Sequence, residues 1–233
     1  TYDPSDRLTS NEVVTDTSCN KNSYSYDNAG NRLTKTVTTN SCSNPTSTTT
    51  SHSYNSFSQL TNTGYVYDQL GRNTYIPSAD APNQNGAISL AYNINDKVTF
   101  IGQNNTSTSF TYEAEDRRLN ETSNGVTTTR HYTDSSDNPT WTTQTVNGQT
   151  KTETYTPSLG TGLTATTTTE NNTVTTQIQL YDLRGNTATT VDPTTNTATT
   201  WNNYDEFGNP AATNPANTNL IKYNTYGQAE RAT

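Results

Sequence analysis

The feature that most constrains this chain is a degenerate repeat: a Tyr-Asp pair, a glycine-containing turn and a short strand. Its sharp copies are Tyr26-Asp27-Asn28-Ala29-Gly30-Asn31-Arg32-Leu33, Tyr67-Asp68-Gln69-Leu70-Gly71-Arg72, Tyr181-Asp182-Leu183-Arg184-Gly185-Asn186 and Tyr204-Asp205-Glu206-Phe207-Gly208-Asn209. Weaker copies begin at Tyr2, Tyr54, Tyr92, Tyr112, Tyr132, Tyr155 and Tyr223, and successive tyrosines are 13 to 28 residues apart. That spacing is near the short end of repeat arrays. One such unit cannot bury a core alone, so stability and function belong to the assembled array.

The residues between the turns read as strands. Runs such as Leu33-Thr34-Lys35-Thr36-Val37-Thr38-Thr39, Val98-Thr99-Phe100-Ile101 and Thr173-Val174-Thr175-Thr176-Gln177-Ile178-Gln179-Leu180 are β-branched or alternating, which suits a pleated surface. No window sustains a helical period. In each sharp copy Asp can bond the backbone of the following turn, while Gly accepts a positive φ. Each copy is therefore a β-hairpin, with turns expected at 28–31, 69–72, 183–186 and 206–209. The tyrosine rings are expected to pack between hairpins with their hydroxyls at a wet edge. The Thr/Ser/Asn/Pro-rich stretches 44–53, 77–87 and 161–176 read as long rim loops.

Composition limits the architecture further. With 27% hydrophobic residues and a mean hydropathy of −0.95, the chain has too little apolar material for one thick core. Such polarity alone would suggest disorder, but regularly spaced tyrosines, 15 against 4 phenylalanines, argue for order. The fold class is all-β: repeated β-hairpins forming a continuous sheet. A conventional β-sandwich is the rival reading.

This pattern resembles the YD-repeat, or Rhs, family, whose signature is approximately Tyr-Asp-x-x-Gly-Arg-Leu followed by a Thr- or Val-rich strand. The resemblance covers essentially the whole chain. It rests on Tyr26, Asp27, Gly30 and Arg32; Tyr67, Asp68, Gly71 and Arg72; Tyr181, Asp182 and Gly185; and Tyr204, Asp205 and Gly208. It implies a sheet that spirals into a hollow shell, as in bacterial Rhs toxins, the cocoon subunits of insecticidal toxin complexes, wall-associated proteins and teneurins. By that resemblance residues 1–233 are a single YD-repeat array cut from a longer protein. Its partners are further YD repeats of the same chain or other copies, with an enclosed toxin domain or a surface glycan as cargo or ligand. The Asp-Pro-x-Gly core signature of Rhs toxins is not reproduced, because Asp192-Pro193 continues as Thr194-Thr195. Neither self-cleavage nor toxin activity carries over.

Net charge is −8 and no Lys/Arg cluster occurs, which argues against a nucleic-acid partner. The longest apolar run, residues 87–92, includes Ser89 and is too short to insert in a membrane. The two cysteines, Cys19 and Cys42, flank the first sharp hairpin. If the turn centres near Ala29, facing residue numbers sum to about 58 and these sum to 19 + 42 = 61, an offset that strand ends can absorb. A disulfide there would stabilise by about 3 kcal/mol and indicate a secreted or cell-surface protein; the alternative is two free thiols.

Catalytic chemistry finds little support. His52 and His131 lie in different repeats without metal-ligand spacing, and no cofactor motif is present. Glu113, Glu115 and Asp116 form the densest acidic patch; paired carboxylates can hydrolyse glycosides, but charge at a solvated strand edge is the simpler reading. Asp134, Asp137 and Asn138 lack calcium-loop spacing and read as turn formers. Two function classes remain: a non-catalytic shell segment that encloses or presents an effector, and an adhesion or glycan-binding module.

Overall fold

The computed structural model describes residues 1–14, 18–39, 44–81, 85–157, 163–182, 185–198, 202 and 204. Among them every regular element is a strand. The chain divides into two compact units, Thr1–Asp80 and Ala81–Thr233.

The first unit holds β1 (Ser10–Val14), β2 (Cys19–Tyr26), β3 (Arg32–Thr39) and β4 (Thr46–Ser51), paired antiparallel in chain order. A short hairpin of β5 (Val66–Tyr67) and β6 (Asn73–Ile76) follows. The second unit is an antiparallel meander. It runs through β7 (Ile88–Tyr92), β8 (Val98–Gln103), β9 (Thr106–Tyr112), β10 (Arg118–Ser123), β11 (Val126–His131) and β12 (Trp141–Val146). It continues through β13 (Gln149–Pro157), β14 (Leu163–Glu170), β15 (Thr173–Tyr181), β16 (Thr187–Asp192) and β17 (Thr197–Ala198). Each strand pairs with its neighbours in sequence. Such pairing needs only short loops, and hence little closure entropy.

Two of the expected loops are strands. Residues 46–51 are β4, and within 161–176 the chain forms all of β14 and the start of β15 around a two-residue turn. The reason is threonine. It is polar, but its branched Cβ favours extended backbone, and cross-strand hydroxyls bond one another, as between Thr36 and Thr49 at 2.8 Å and Thr167 and Thr176 at 3.2 Å.

Two kinds of turn recur. Two-residue turns join β10 to β11 at Asn124-Gly125, β12 to β13 at Asn147-Gly148 and β14 to β15 at Asn171-Asn172, with positive φ at both positions of each, and β8 to β9 at Asn104-Asn105, with positive φ at Asn104. Asn and Gly tolerate that conformation, whose twist matches the strands. Five-residue turns open after a tyrosine; they join β2 to β3, β5 to β6, β7 to β8, β9 to β10 and β15 to β16.

Burial is sparse. Among the described residues the buried hydrophobics are Tyr24, Ala81, Leu90 and Phe110. Glu121, also buried, is held by Arg130 at 2.9 Å and Arg118 at 3.8 Å, and Arg118 lies 4.2 Å from the Phe110 ring centroid. Pairing offsets the cost of burying that carboxylate.

Gly30→Ala tests the turn geometry in isolation, because φ there is +89° and no atom lies within 4 Å of the added Cβ. The expected loss is about 1 kcal/mol from backbone strain alone, read as a lower urea midpoint with unchanged slope.

Candidate functional site: the turn rim and the two sheet faces

The five-residue turn obeys one local grammar. Number its residues from the one after the tyrosine; seven described turns then begin at Asp3, Asp27, Asn55, Asp68, Asn93, Glu113 and Asp182. In each, the first residue's N–H donates to the fifth carbonyl at 2.9–3.0 Å, and the fourth N–H donates to the first carbonyl at 3.0–3.3 Å. The fourth residue has positive φ throughout: Asp6, Gly30, Ser58, Gly71, Asp96, Asp116 and Gly185. Where strands flank the turn, the ladder shifts register beside it, as in a type I turn closed by a bulge.

Position one supplies an acceptor side chain. In six of the seven turns its Oδ1 accepts the fifth residue's N–H at 2.8–3.0 Å. In four of those turns it also accepts the third residue's N–H at 2.9 Å. Position five answers with its side chain: Arg7 and Arg72 donate from Nε to Asp3 and Asp68 at 2.7 Å, and Asn31 and Asn186 donate to Asp27 and Asp182 at 2.9 Å. Where position one is Asn55 the donor reverses, its Nδ2 reaching Gln59 Oε1 at 2.7 Å. These bonds hold the carboxyls of Asp3 and Asp68 below the ordinary carboxylate range, chiefly through the N–H groups of Arg7 and Arg72, and that of Asp27 chiefly through the Asn31 side chain.

The tyrosines join one turn to the preceding one. Tyr26 Oη donates to the Leu8 carbonyl at 2.8 Å, Tyr54 to Arg32 at 3.2 Å, Tyr112 to Val98 at 2.6 Å, Tyr132 to Arg118 at 2.7 Å and Tyr204 to Thr187 at 2.8 Å. Every acceptor is the residue just after the preceding five-residue turn. The hydroxyls expected at a wet edge are instead bonded inside the protein. Burial raises the phenol pKa of Tyr54, Tyr132 and Tyr204 above the usual 10.0.

Two of the arginines at position five reach forward across the same junction. Arg7 lies 5.0 Å from the Tyr26 ring centroid and donates to the Asp27 carbonyl at 2.8 Å. Arg117 lies 4.4 Å from the Tyr132 ring centroid and donates to the Asp134 carbonyl at 2.6 Å. Gln59 does a shorter version, donating to the Gly71 carbonyl at 3.1 Å.

The residues singled out from sequence fall into this scheme unevenly. Tyr26, Asp27 and Gly30 occupy one turn, Tyr67, Asp68, Gly71 and Arg72 another, and Tyr181, Asp182 and Gly185 a third. Arg32 is not the counterpart of Arg72: it sits one place beyond its turn, 5.7 Å from the Tyr24 ring centroid, and its carbonyl accepts Tyr54. Tyr204 is placed; Asp205, Gly208 and Cys42 lie outside the described residues. Tyr155 lies inside β13 and donates to Glu153 at 3.1 Å. The acidic patch is engaged with cation: Glu113 and Glu115 both pair with Arg117. Asp134 holds its own loop, its Oδ1 accepting the Ser136 N–H at 2.8 Å. His131 stacks on Trp141 with ring centroids 4.8 Å apart. Among the described residues no group of three His, Cys, Asp or Glu could hold a metal ion.

Sequence reading missed the non-glycine fourth positions, the Asn-Gly turns and every tyrosine acceptor. The Asn-Gly pairs were a usable signal. The acceptors were not, because any residue supplies a carbonyl.

Cross-strand register also separates two faces in the second unit. One carries the rows Asn120–Thr129–Thr143–Thr152–Thr169–Val174 and His131–Trp141–Thr154–Thr167–Thr176, with no formal charge. The other carries Phe110–Glu121–Thr128–Gln144–Lys151 and Arg130–Thr142–Glu153–Thr168–Thr175.

This architecture is found in solved structures. The chain superimposes on a TcdB2-TccC3-TEV crystal structure with a TM-score of 0.62 and 14% identity, over 92% of its own length and 11% of that chain. A TcdB2-TccC3-Cdc42 crystal structure gives 0.58 and 12%, over 83% of this chain and 10% of that one. A Tc holotoxin pore from Photorhabdus luminescens gives 0.56 and 12%, over the same shares. What the chain shares with these Tc toxin chains is an all-β, antiparallel fold. This chain spans about a tenth of those chains. No family model and no curated protein matches its sequence.

Two measurements check the junctions. Tyr26→Phe and Tyr112→Phe should each cost about 1 kcal/mol, the net worth of a hydrogen bond whose acceptor is then left unmade. Stability should also be bounded at both ends of the pH scale. The contribution of Asp3, Asp27 and Asp68 is complete above pH 3.8 and is lost as pH falls through their lower folded values. That of Tyr54, Tyr132 and Tyr204 is complete below pH 10.0 and is lost as pH rises towards their higher folded values. Melting temperature should fall as pH drops below the lower limit and as it rises above the upper one.

Proposed function

We propose that residues 1–233 are a single YD-repeat array acting as a non-catalytic scaffold. In this reading it is a segment of a β-shell, in a secreted or cell-surface protein, that encloses or presents a toxin or other effector. The observation that carries the reading is the turn-to-turn junction. It occurs at five tyrosines, Tyr26 and Tyr54 in the first unit and Tyr112, Tyr132 and Tyr204 in the second, and ties their hairpins to preceding turns by backbone acceptors rather than by a filled core. Such a device lengthens a sheet without thickening it, as a wall requires. The fold shared with Tc toxin chains supports this role. The engagement of Glu113 and Glu115 by Arg117 leaves that patch without a free carboxylate pair for acid–base work. Electron microscopy of the complete polypeptide that carries this chain should show a hollow particle; a solid globule would rule the shell out.

The uncharged threonine rows favour one second reading, adhesion to a neutral glycan. Hydroxyls and the edges of the stacked His131 and Trp141 present hydrogen-bonding groups without ionic repulsion. Insoluble cellulose or chitin should then retain the protein and heparin should not, and Trp141→Ala should release it.

The compartment is testable through the cysteines. Lys21↔Thr38 is the last described pair of the β2–β3 ladder, and Cys19 and Cys42 are two and four residues from it in the sequence. We propose that they are bonded to each other. Non-reduced, freshly secreted protein should show no alkylation at either cysteine, and reduction should lower stability by about 3 kcal/mol.

A further inference from the structure

The uncharged face of the second unit carries one more row, on the side of the two-residue turns. Alternation along each strand puts Thr122 on the same face as Asn120, Thr127 with Thr129, Thr145 with Thr143 and Thr150 with Thr152. Thr122 faces Thr127 and Thr145 faces Thr150, each pair second from an Asn-Gly turn. The two hydroxyls of each pair are bonded to one another, at 2.8 Å between Thr122 and Thr127 and at 3.2 Å between Thr145 and Thr150. Thr127, Thr145 and Thr150 are exposed.

Two properties of this row select a ligand. The first is its chemistry. A hydroxyl has one proton to give and two lone pairs to accept with, so a bonded threonine pair keeps one O–H and several lone pairs for an outside group. A sugar hydroxyl, itself donor and acceptor, answers both. An acidic glycan is disfavoured, because the row has no cation to meet it and the chain carries a net charge of −8. The second property is period. The β10–β11 and β12–β13 hairpins are neighbours through the β11–β12 ladder, so their threonine pairs are centred two strand spacings apart. That is roughly 10 Å, the length of the two-sugar repeat in an extended 1,4-β-linked chain. A 1,4-α-linked chain coils and has no such straight repeat.

We propose that this row is a track for an extended, uncharged 1,4-β-linked glycan lying across β10 to β13, with one disaccharide on each hairpin. Each disaccharide exchanges hydrogen bonds with one threonine pair, and two disaccharides fill the row. The inference rests on the neutral-glycan reading and adds to it the linkage, the direction across the strands and the length. Trp141 stands two rows away along β12, so on an insoluble polysaccharide it faces a neighbouring chain and not the one on the track.

The test titrates the full chain with cellobiose, cellotetraose, cellohexaose and maltohexaose, followed by threonine methyl shifts in the NMR spectrum. Cellotetraose should bind roughly ten-fold more tightly than cellobiose, because it engages the second threonine pair as well. Cellohexaose should add little, and maltohexaose should bind roughly ten-fold more weakly than cellohexaose. Thr127→Val combined with Thr150→Val should cost roughly ten-fold in cellotetraose affinity, while the branched Cβ of valine keeps the strands. Thr168→Val combined with Thr175→Val, a cross-strand pair on the opposite face, should cost nothing. Suppose cellulose still retains the protein through Trp141, but affinity does not rise from cellobiose to cellotetraose or the Thr127 and Thr150 substitutions change nothing. That result overturns the track and leaves the neutral-glycan reading standing. Failure of cellulose, chitin and every oligosaccharide to bind overturns both.

Discussion

The fold depends on the hydrogen bond from a tyrosine hydroxyl to the backbone carbonyl just past the preceding turn. It occurs at Tyr26, Tyr54, Tyr112, Tyr132 and Tyr204, and it does for this sheet what a second layer does for a sandwich. With few side chains fully buried, hydrophobic burial alone has little to act on. Each junction contributes about 1 kcal/mol as a hydrogen bond and, where arginine covers the ring, roughly another 0.5–1 kcal/mol at such an exposed site. Being local, these contributions accumulate along the strip as nearest-neighbour terms.

The turn grammar explains why the tyrosine arrives where the acceptor is. The side chain at position one fixes the five-residue loop by accepting its backbone N–H groups, the fourth residue turns the chain through positive φ, and the bulge beside the loop sets where the tyrosine stands. Acid–arginine, acid–asparagine and asparagine–glutamine pairs at positions one and five all close it. Arg7 and Arg117 cover the following ring as well, so junction strength varies from one turn to another while the turn geometry does not.

Much of this was legible in the sequence. Tyr26-Asp27 with Gly30, and Tyr67-Asp68 with Gly71, mark true turns because glycine is the residue with least resistance to positive φ. The weaker copies at Asp3, Asn55, Asn93 and Glu113 make the same loop with Asp6, Ser58, Asp96 and Asp116 at that place. There the turn's hydrogen bonds outweigh the strain, which a motif search centred on glycine undervalues. The threonine-rich stretches look like loops by polarity, but their β-branching makes them strands. Proximity in sequence equates Arg32 with Arg72, although one residue's difference in position separates a side chain that closes its own turn from one that lies against Tyr24. The hydroxyl acceptors had no signature at all: they are main-chain atoms, brought into reach only by register.

The most direct test is the exchange rate of the tyrosine hydroxyl protons. In equal parts of light and heavy water, a hydroxyl that exchanges slowly gives two resolved Cζ signals in the NMR spectrum, and one that exchanges fast gives a single averaged signal. Two signals are expected for Tyr26, Tyr54, Tyr112, Tyr132 and Tyr204, each donating to a backbone carbonyl, and one averaged signal for the exposed Tyr2. Averaged signals for all six would mean that the hydroxyls face water and that something other than these junctions holds the strip together.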